Sequence, residues 1–431
     1  MPSRPEAGGF PEMYTTRYKS HHDAARKLKE LYTLDQPKDA YLRSILNGQA
    51  KSRRAIYIHV PFCNKVCSFC PFHRPDRLKR REYHKYLTEE IHRIREYPYM
   101  DAPIDAINFG GGTPTSLLPE QMRIILAELR QSFSIRENAE ISVESSATEL
   151  TDEMLGALLE GGVNRLSIGI QTFQDKARKL LGRRGSGGQA AERVANAIRS
   201  GIRNTSIDLI YNYPGQSLEA LKEDLSVIKE LGVAGLSFYS LMLHEKTPLF
   251  QTLSSTEKQE MLDIRQEYRF FSEILDNLGS AGFRPLELTK LVRDDLDRYD
   301  YMSIRHTGGS CIAIGHGAGG NLENYFYRNS SEIPLISDEL RISSAGRIVC
   351  PEYRVIDELI NDLQKCRAEL SAYSSRLGTD LEAVLSFTLQ RLESEGLLER
   401  KSGMVTLTAS GMFWGNNIID ELVGVLLQRR A

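Results

Sequence analysis

Six short apolar runs set the strongest limit on how this 431-residue chain can fold. They are rich in Ile, Val and Tyr, and they recur roughly every 25 to 50 residues between helical patterns, as buried parallel strands do. The runs are Ala55–Val60, Ala106–Phe109, Ile141–Val143, Arg165–Ile170, Ser206–Tyr211 and Gly235–Leu241. Their alternation with helices predicts an α/β fold with a parallel sheet, either doubly wound or an incomplete barrel. In both folds the carboxyl ends of the strands carry the functional site.

The helix between the second and third runs is predicted to begin at Pro119, because proline fits the first turn of a helix. The apolar residues that follow form one stripe at helical spacing: Met122, Ile125, Leu126 and Leu129. Beyond the last run the pattern changes. A long helix is predicted over Ser255–Leu278, and a further strand over Arg284–Thr289.

The last part of the chain predicts a small α+β module. One helix carries an apolar face made of Leu381, Val384, Leu385 and Leu392. Gly396 follows at the position where glycine commonly ends a helix, and Met404–Thr408 is predicted to be a strand. Helix, short β wing and helix together suggest a winged-helix-like module. Only Arg400 and Lys401 add basic charge near the wing, so we expect structural packing rather than nucleic-acid binding.

These patterns divide the chain into four units. We expect an N-terminal helical extension over 1–50, an α/β core over 51–255, a subdomain over 256–370 that completes the substrate cavity, and the winged-helix-like module over 371–431.

The charge balance and the apolar pattern exclude two classes of protein. The formal net charge is −2, from 55 basic and 57 acidic residues, which argues against a wide positive surface for nucleic acid. No apolar stretch approaches the ~18 residues of a membrane-spanning helix. The first residues, Met1–Pro5, lack the apolar segment of a secretory signal. We therefore expect a cytoplasmic protein.

Three of the six cysteines lie within eight residues of one another, at Cys63, Cys67 and Cys70. A disulfide framework does not suit a long chain in a reducing compartment, so the cluster favours metal binding. Thiolates select iron–sulfur clusters, zinc or copper(I). Three thiolates could hold a four-iron cluster with one iron open to a ligand, whereas a structural zinc site would need a fourth ligand such as His59 or His73.

Two motifs in this order resemble the radical S-adenosylmethionine (SAM) enzymes. One is the CxxxCxxC loop, Cys63–Cys70, after the first run, and the other is the Gly-Gly-Gly-Thr-Pro-Thr segment, Gly110–Thr115, after the second. The resemblance implies a partial (β/α)6 TIM-like barrel, a [4Fe–4S] cluster on the three cysteines, and SAM bound to the open iron. It also implies reductive cleavage of SAM to a 5′-deoxyadenosyl radical.

Further motifs are similar to the subfamily of oxygen-independent coproporphyrinogen III oxidase, from about residue 53 to residue 425. They are Tyr57–Cys63, Val163–Phe173, Asp208–Tyr211 with Pro214–Gln216, and Leu407–Trp414. By position in that subfamily, the contacts to the cluster-bound SAM are expected from Tyr57, Phe69, Gly111, Glu144 and Met242. A second SAM is expected at Gly112, Thr113, Gln171, Arg183 and Asp208.

The chain departs from the oxidase at Phe72, where the oxidase has a fourth cysteine. This favours relatives with an aromatic residue there: heme chaperones, class C radical SAM methyltransferases and anaerobilin synthases. The glycine-rich run Gly315–Gly320, followed by Tyr325 and Tyr327, is most similar to the anaerobilin synthases, so Gly319 joins the expected cofactor-binding residues.

The resemblance implies an enzyme that binds two SAM molecules and forms a methylene radical, which adds to an sp² carbon of a tetrapyrrole. The expected reaction is the anaerobic ring opening of heme. The alternatives are a C-methyltransferase or cyclopropanase on an aromatic natural product, a coproporphyrinogen III dehydrogenase, and a heme chaperone. A flavodoxin-like electron donor is implied. No residue is assigned a catalytic role.

Four histidines are weaker candidates for binding the iron of a heme: His73, His84, His92 and His316. The basic run Arg77–Arg81 either meets substrate carboxylates or begins a helix.

Overall fold

The computed structural model describes residues 14–20, 28–29, 31–72, 77–330 and 346–428. The strands of this part of the chain are Thr33–Leu34 (β1), Arg54–Val60 (β2), Ile104–Gly111 (β3), Ile135–Ser146 (β4), Arg165–Gln171 (β5), Asn204–Tyr211 (β6), Gly235–Ser240 (β7), Arg284–Glu287 (β8), Lys290–Val292 (β9), Ser310–Ile314 (β10), Gly319–Leu322 (β11), Tyr325–Arg328 (β12), Arg347–Val349 (β13), Arg367–Glu369 (β14), Leu398–Lys401 (β15) and Met404–Leu407 (β16).

The helices of the same residues are Lys38–Leu46 (α1), Tyr83–Ile94 (α2), Pro119–Ser132 (α3), Asp152–Glu160 (α4), Asp175–Leu180 (α5), Gly187–Arg199 (α6), Leu218–Leu231 (α7), Pro248–Thr252 (α8), Ser255–Glu260 (α9), Ile264–Gly279 (α10), Asp300–His306 (α11), Pro351–Gln364 (α12), Leu370–Leu377 (α13), Leu381–Ser394 (α14), Ala409–Phe413 (α15) and Gly415–Gln428 (α16). Short 3₁₀ turns occur at Arg77–Glu82, Pro98–Asp101, Pro114–Ser116 and Ala147–Glu149. Among the described helices, none has the length and apolar character needed to cross a membrane.

The main sheet confirms the predicted α/β class. In the described residues its strand order is β1-β13-β12-β11-β10-β2-β3-β4-β5-β6-β7-β9-β8. The six predicted runs became β2 to β7, and they pair in parallel in chain order. Strand β10, which the sequence analysis did not predict, continues the parallel part on the other side of β2. The remaining strands pair antiparallel at the two ends.

Most helical predictions hold, with one correction. Helix α3 begins at Pro119 and buries the predicted stripe of Met122, Ile125, Leu126 and Leu129. The prediction of one long helix over Ser255–Leu278 is wrong, because this stretch forms two helices, α9 and α10. Asp263 separates them: its carboxylate accepts hydrogen bonds from the backbone N–H groups of Arg265 at 2.9 Å and Gln266 at 3.3 Å and so caps α10.

The C-terminal module has its own three-stranded antiparallel sheet, in the order β14-β16-β15, with helices α13 to α16 beside it. Helix α14 is followed by Gly396 with φ of +68°, as the sequence predicted. Trp414 is fully buried next to Phe413, at 5.0 Å between ring centroids. The predicted strands at Arg284–Thr289 and Met404–Thr408 correspond to β8 and β16. The domain boundaries at residues 50, 255 and 370 stay predictions.

One face of the main sheet is filled by helix α11. Tyr301 and Ile304 of this helix form a small buried apolar cluster with Ala55 of β2, Ala106 of β3 and Cys311 of β10. The backbone N–H groups at the start of the helix donate to the carboxylate of Glu140 on β4. Helix α11 therefore packs across four neighbouring strands, β10, β2, β3 and β4, on the face that is concave in an incomplete barrel.

A buried ionic network lies on the same concave face. Arg165 on β5 donates to both carboxylate oxygens of Asp297, at 2.9 and 3.1 Å, and Lys290 on β9 lies 2.9 Å from the same carboxylate. The guanidinium also stacks over Tyr299, 4.2 Å from its ring centroid. Burial alone would raise the pKa of Asp297, but the charges of Arg165 and Lys290 outweigh burial and hold it well below its ordinary value.

Residues 14–20, the N-terminal strap, connect the main sheet to the C-terminal module. Arg17 is buried and pairs with Glu267 of α10. It also donates to the Tyr211 hydroxyl at the end of β6, at 3.0 Å, and to the backbone carbonyl of Phe413, at 2.7 Å. The hydroxyl of Tyr14 donates to Glu421 on α16 at 2.7 Å. The strap therefore holds two parts of the chain against each other.

Candidate functional site

A cavity of about 730 Å³ opens at the carboxyl ends of the parallel strands. Its walls contain most of the residues that the sequence analysis selected. These are Tyr57, Cys63, Cys67, Phe69, Cys70, Gly111, Gly112, Thr113, Glu144, Gln171, Arg183 and Asp208. They come from β2 to β6, from the loops after β2 and β3, and from the segment after α5, so the parallel register brings residues distant in sequence to one place.

The cysteine loop is held in position by its backbone. The N–H of Ser68 donates to the carbonyl of Leu181 at 3.1 Å, and its hydroxyl donates to the carbonyl of Leu180 at 2.6 Å. The carbonyl of Ser68 accepts from the N–H of Leu249 at 2.9 Å. A side chain on Gly182 would come within 2.9 Å of the Ser68 nitrogen, so glycine there permits the contact. The loop is therefore fixed from two sides.

The three thiols are partly exposed, and all of them face the cavity. The Thr113 hydroxyl lies 3.2 Å from the sulfur of Cys63, and the guanidinium of Arg183 donates to the sulfur of Cys67 at 3.2 Å. Polar donors of this kind stabilise thiolates. Within the described residues, no three His, Cys, Asp or Glu side chains are placed to hold a single metal ion. Three soft donors on one fixed loop beside an open cavity fit a [4Fe–4S] cluster with one iron open to a ligand.

The glycine segment at the end of β3, Gly110–Gly112, requires glycine at each position. A Cβ on Gly110 would lie 2.7 Å from a carboxylate oxygen of Glu144, and one on Gly112 would lie 2.5 Å from the carbonyl oxygen of Phe62. Gly111 has φ of +113°, and a Cβ there would lie 2.6 Å from the ring of His59. The segment thus presents bare backbone to the cavity, which fits a ligand that binds against main-chain amides and carbonyls.

Two half-buried carboxyl groups, Glu144 and Asp208, face the same space from β4 and β6. The pKa of Glu144 is raised to about 7 by burial and by the charge of Asp208. Burial also raises the pKa of Asp208, although Lys290 and Arg165 act in the opposite direction. Such groups bind hydroxyl or ammonium donors well, because a bound donor stabilises the charge that burial disfavours. The ribose hydroxyls and the amino group of SAM are donors of this kind.

Gln171 lies at an irregular point of the sheet. It has φ of +73°, which is uncommon for a residue other than glycine, and the β5–β6 register shifts between Gly169 and Gln171. Arg183 donates to the carbonyl of Gly169. Its Nε lacks a hydrogen-bond partner although it is buried. This orphaned donor, beside a strained strand end, fits an additional polar ligand at this side of the cavity.

Some predicted residues lie elsewhere. Met242 is not part of the cavity wall and is 45% exposed, and Gly319 lines a neighbouring cavity instead.

The four candidate heme-binding histidines lie in different places. His84 bonds to Gln121, and His92 pairs with Glu128 on the surface. His316 lines the main cavity, whereas His73 lies outside the described residues. In the basic run, Arg80 bonds to the side chain of Asn64, next to Cys63.

The sequence analysis gave His59 only as a zinc ligand and missed its place beside Tyr57. The Tyr57 hydroxyl lies 2.8 Å from His59 Nδ1, and both rings line the cavity. Burial, together with the charge of Arg328, lowers the pKa of His59 to about 4, so the ring is neutral at pH 7. The period of two in a strand would have predicted this pair, because residues 57 and 59 share one face of β2.

Residues 57–228 match the sequence profile of the radical SAM superfamily. Over 394 residues the chain is 27% identical to anaerobilin synthase of Escherichia coli O157:H7, covering 89% of this chain and 88% of that protein. It is 26% identical to the heme chaperone HemW of Bacillus subtilis (strain 168), covering 86% and 100%. The structure of coproporphyrinogen III oxidase from Escherichia coli superposes with a TM-score of 0.76, 21% identity, and coverage of 96% and 97%. The likeness to this last structure concerns the fold.

Proposed function

We propose that this chain, a member of the radical SAM superfamily, is an enzyme that applies radical SAM chemistry to a tetrapyrrole. Membership implies a [4Fe–4S] cluster and SAM. The observation that carries the proposal is one cavity that contains three thiols, a bare glycine segment and two half-buried carboxyl groups. When bound, the cluster and SAM supply one electron and a 5′-deoxyadenosyl radical that removes a hydrogen atom.

We assign the polar contacts within the cavity as follows. Tyr57, Phe69, Gly111 and Glu144 contact the cluster-bound SAM. Glu144 accepts hydrogen bonds from ligand donors in its ionised form, and the backbone near Gly111 can approach the methionine end because no side chain intervenes. Met242 stays a proposed contact of the cluster-bound SAM, and this contact requires its exposed side chain to change conformation.

A second SAM is proposed on the other side of the cavity, at Gly112, Thr113, Gln171, Arg183 and Asp208. A zwitterionic ligand needs a cation for its carboxylate and acceptors for its ammonium and hydroxyl groups. Arg183 supplies the cation, and its unpartnered Nε supports the assignment. Asp208, whose pKa is raised by burial, supplies an acceptor.

The finer proposal is methylene transfer from the second SAM to an sp² carbon of a tetrapyrrole, and ring opening of heme is the reaction we favour. The names of the relatives support a tetrapyrrole, since they refer to anaerobilin, heme and coproporphyrinogen III. Phe72, at 75% exposure, replaces the fourth cysteine of the oxidase pattern and supports a reaction other than that oxidation. We propose a flavodoxin-like protein of the cytoplasm as the reductant.

Anaerobic incubation of the cluster-loaded protein with heme, a reductant and SAM deuterated at its methyl group tests this proposal. Deuterium in 5′-deoxyadenosine together with loss of the heme Soret band is expected. Deuterium transfer that heme does not stimulate would favour a methyltransferase on another substrate. Heme that stays bound and unchanged, without SAM cleavage, would favour the chaperone function. With coproporphyrinogen III, unlabelled 5′-deoxyadenosine would favour the dehydrogenase.

The second SAM is tested by Arg183→Ala, with Arg183→Lys as the partner variant. We expect 5′-deoxyadenosine to form still, whereas the methylene-transfer product falls sharply, and lysine should restore little because it lacks the bidentate fork. Because Arg183 also contacts Cys67, iron content and the cluster absorption band must be measured first. A variant with a full cluster and unchanged coupling between 5′-deoxyadenosine and product would contradict the assignment.

A further inference from the structure

A second cavity of about 760 Å³ adjoins the first, and it lies within the ~300–1,000 Å³ range of small-molecule sites. Its walls come from β2, α11, β11 and β12, with Lys29 and Arg347 at one side. Both cavities are lined by Tyr57, His59, Glu144, Gly317 and Arg328. A ligand in the second cavity would therefore meet a ligand in the first across the Tyr57–His59 pair.

The second cavity is strongly positive. Its lining includes Lys29, Arg305, Arg328 and Arg347, and the one carboxylate among the described lining residues, Glu144, lies at the boundary with the first cavity. None of the four cations is within ion-pair distance of a carboxylate in the described parts of the chain.

The four cations also influence one another. Burial lowers the pKa of Lys29, Asp357 acts in the opposite direction, and repulsion from Arg305, Arg347 and Arg328 lowers it further. Like charges that share a partly enclosed space repel each other, and the repulsion is relieved when an anion binds between them. The distribution of charge thus calls for a ligand with more than one negative group.

Aromatic rings form the rest of the wall. They belong to Tyr299, Tyr301, Phe326 and Tyr327. Two of the cations lie against these rings: Lys29 Nζ is 5.2 Å from the ring centroid of Phe326, and the Arg305 guanidinium is 5.6 Å from that of Tyr301 and bonds to its hydroxyl at 3.0 Å. These contacts hold the charged groups at the edge of an aromatic surface, which suits a flat ligand with acidic side chains.

We infer that this second cavity is the substrate site, and that Arg305, Arg328, Arg347 and Lys29 bind the carboxylates of a flat, conjugated substrate that carries at least two of them. A porphyrin with two propionate side chains is such a molecule. The inference rests on the proposed function for the identity of the ring, whereas the requirement for two carboxylates follows from the cavity itself. Bound there, the ring would lie next to Tyr57, His59 and Glu144, between the carboxylate-binding groups and the SAM cavity.

The ligand side of the inference is tested by equilibrium binding to the cluster-loaded protein without SAM, which requires no turnover. Deuteroporphyrin IX, which has two propionates, is compared with its neutral diester. Binding of each is followed by the change in the absorption of the porphyrin. We expect the diester to bind at least about tenfold more weakly, which corresponds to ~1.4 kcal/mol. The affinity for the diacid should fall as salt is raised from about 0.1 to 1 M, because salt screens charge.

The protein side is tested with Arg305→Gln/Arg347→Gln, because these two arginines line the second cavity and not the first. We expect a loss of about tenfold or more in affinity for the diacid, and little change for the diester. Arg305→Lys/Arg347→Lys should recover part of the loss. The matched control is Arg269→Gln, an exposed arginine of α10 outside both cavities, which should bind as the unaltered protein does.

Three results would overturn the inference: no binding of the diacid by the unaltered protein, equal binding of diacid and diester, or unchanged binding by the folded double glutamine variant. Each of these leaves the proposed function to be judged on its own readout, the heme-dependent cleavage of SAM. If SAM cleavage fails with heme while the diacid still binds through Arg305 and Arg347, the site stands and the proposed reaction is wrong.

Discussion

At the residue scale, the donors around the cysteine loop decide what the loop can hold. Thr113 and Arg183 each contact a thiol, and Ser68 fixes the turn between the second and third cysteines. The other cysteines lie in different surroundings: Cys311 is buried beside Tyr301, and Cys350 donates to Glu352. Clustered, partly exposed thiols next to polar donors are reactive ligands, whereas isolated buried thiols are inert.

Replacing Cys67 with alanine should therefore abolish the cluster and SAM cleavage, and the same holds for Cys63 and Cys70. A cluster that loses one of three thiolates is lost or misplaced. Iron and sulfide content, together with 5′-deoxyadenosine formation, give the measurement. Cys350→Ala is the control and should keep both properties. Full cluster content with normal SAM cleavage in Cys67→Ala would refute the ligand assignment.

The ionisation of Glu144 should make SAM binding depend on pH. Because the pKa of this carboxyl is raised to about 7, it is protonated below pH 7 and ionised above it in the absence of ligand. A ligand that donates hydrogen bonds prefers the ionised form. The affinity for SAM is thus expected to rise between pH 6 and 8, by up to about tenfold per pH unit below the pKa. Isothermal titration of the cluster-loaded protein measures this.

Glu144→Gln is the matched variant, because the amide has the same shape and does not titrate. Its affinity for SAM should be weaker and nearly flat over the same pH range. A variant that keeps the full pH dependence would show that another group is responsible. Asp208, which also has a raised pKa, is the next candidate and is tested in the same way with Asp208→Asn.

Much of the main cavity could be predicted at this scale, and the second cavity could not. Residues such as Gly112 and Gln171 follow buried strands, and consecutive parallel strands end at one edge of a sheet. Lys29, Arg305 and Arg347 belong to no motif. They meet because β10 to β13 return beside β2, and that pairing is set by tertiary contacts that no local pattern shows.

At the element scale, the ionic network around Asp297 connects β5 and β9 to the start of α11. Asp297 accepts from Arg165, from Lys290 and from the Ser206 hydroxyl, and it is almost completely buried. Two residues later the chain reaches Tyr299, with φ of +51°, and then helix α11 on the concave face. The network therefore fixes both the helix and the tyrosine walls of the second cavity.

Asp297→Asn should lower the free energy of unfolding at pH 7 by about 3–5 kcal/mol, because buried Lys290 loses its ion-pair partner and buried Arg165 keeps only Glu140, at 3.8 Å. Chemical denaturation followed by circular dichroism gives the measurement. Asp295→Asn is the control, since Asp295 pairs with Arg284 at the exposed surface and the change should matter little. A loss no larger than in the control would contradict a stabilising role for the network.

The sign of the pH effect follows from the direction of the pKa shift. Because the pKa of Asp297 is lower in the folded protein than its ordinary value of 3.8, its contribution to stability is present above that value. The contribution is lost progressively as the pH falls below 3.8 toward the folded-state pKa. Asp297→Asn should therefore be less destabilising in strong acid than at pH 7.

Elements were predictable where burial alone determined them. Strands β2 to β7 are covered on both faces, so they appear in the sequence as continuous apolar runs. Strand β10 is equally buried, but its apolar segment is short and stands between glycines, which obscured it. The break between α9 and α10 depends on one capping carboxylate, Asp263, within a polar stretch where the apolar pattern gives little information.

At the scale of the whole molecule, the N-terminal strap joins the main sheet to the C-terminal module through buried charge. Burial alone would raise the pKa of Glu267, but Arg17 and Lys19 hold it below its ordinary value. The Arg17 guanidinium also lies 4.3 Å from the ring centroid of Phe413. One arginine therefore contacts the end of a barrel strand, helix α10 and the C-terminal module.

Arg17→Ala should lower the free energy of unfolding by about 3–5 kcal/mol, because buried Glu267 would keep only Lys19, at 3.5 Å, and the bonds to Tyr211 and Phe413 would be lost. Amide hydrogen exchange in α15 and α16 should become faster than exchange in β2 to β7, since the module loses its connection first. Arg203→Ala, at an exposed loop position, is the control and should change neither measurement. Unchanged exchange in α15 and α16 would mean that the module is held by other contacts.

The strap also sets an order of events during biosynthesis. Arg17 is made early, yet its bond to Phe413 spans 396 residues. At about 5–20 residues per second, a ribosome needs roughly 20 to 80 seconds to cover that distance. Tyr211 and Glu267 are synthesised within this interval, but the bond of Arg17 to Phe413 cannot form until its end. The strap can close only when translation has passed α15, so its closure is one of the last steps in the maturation of the chain.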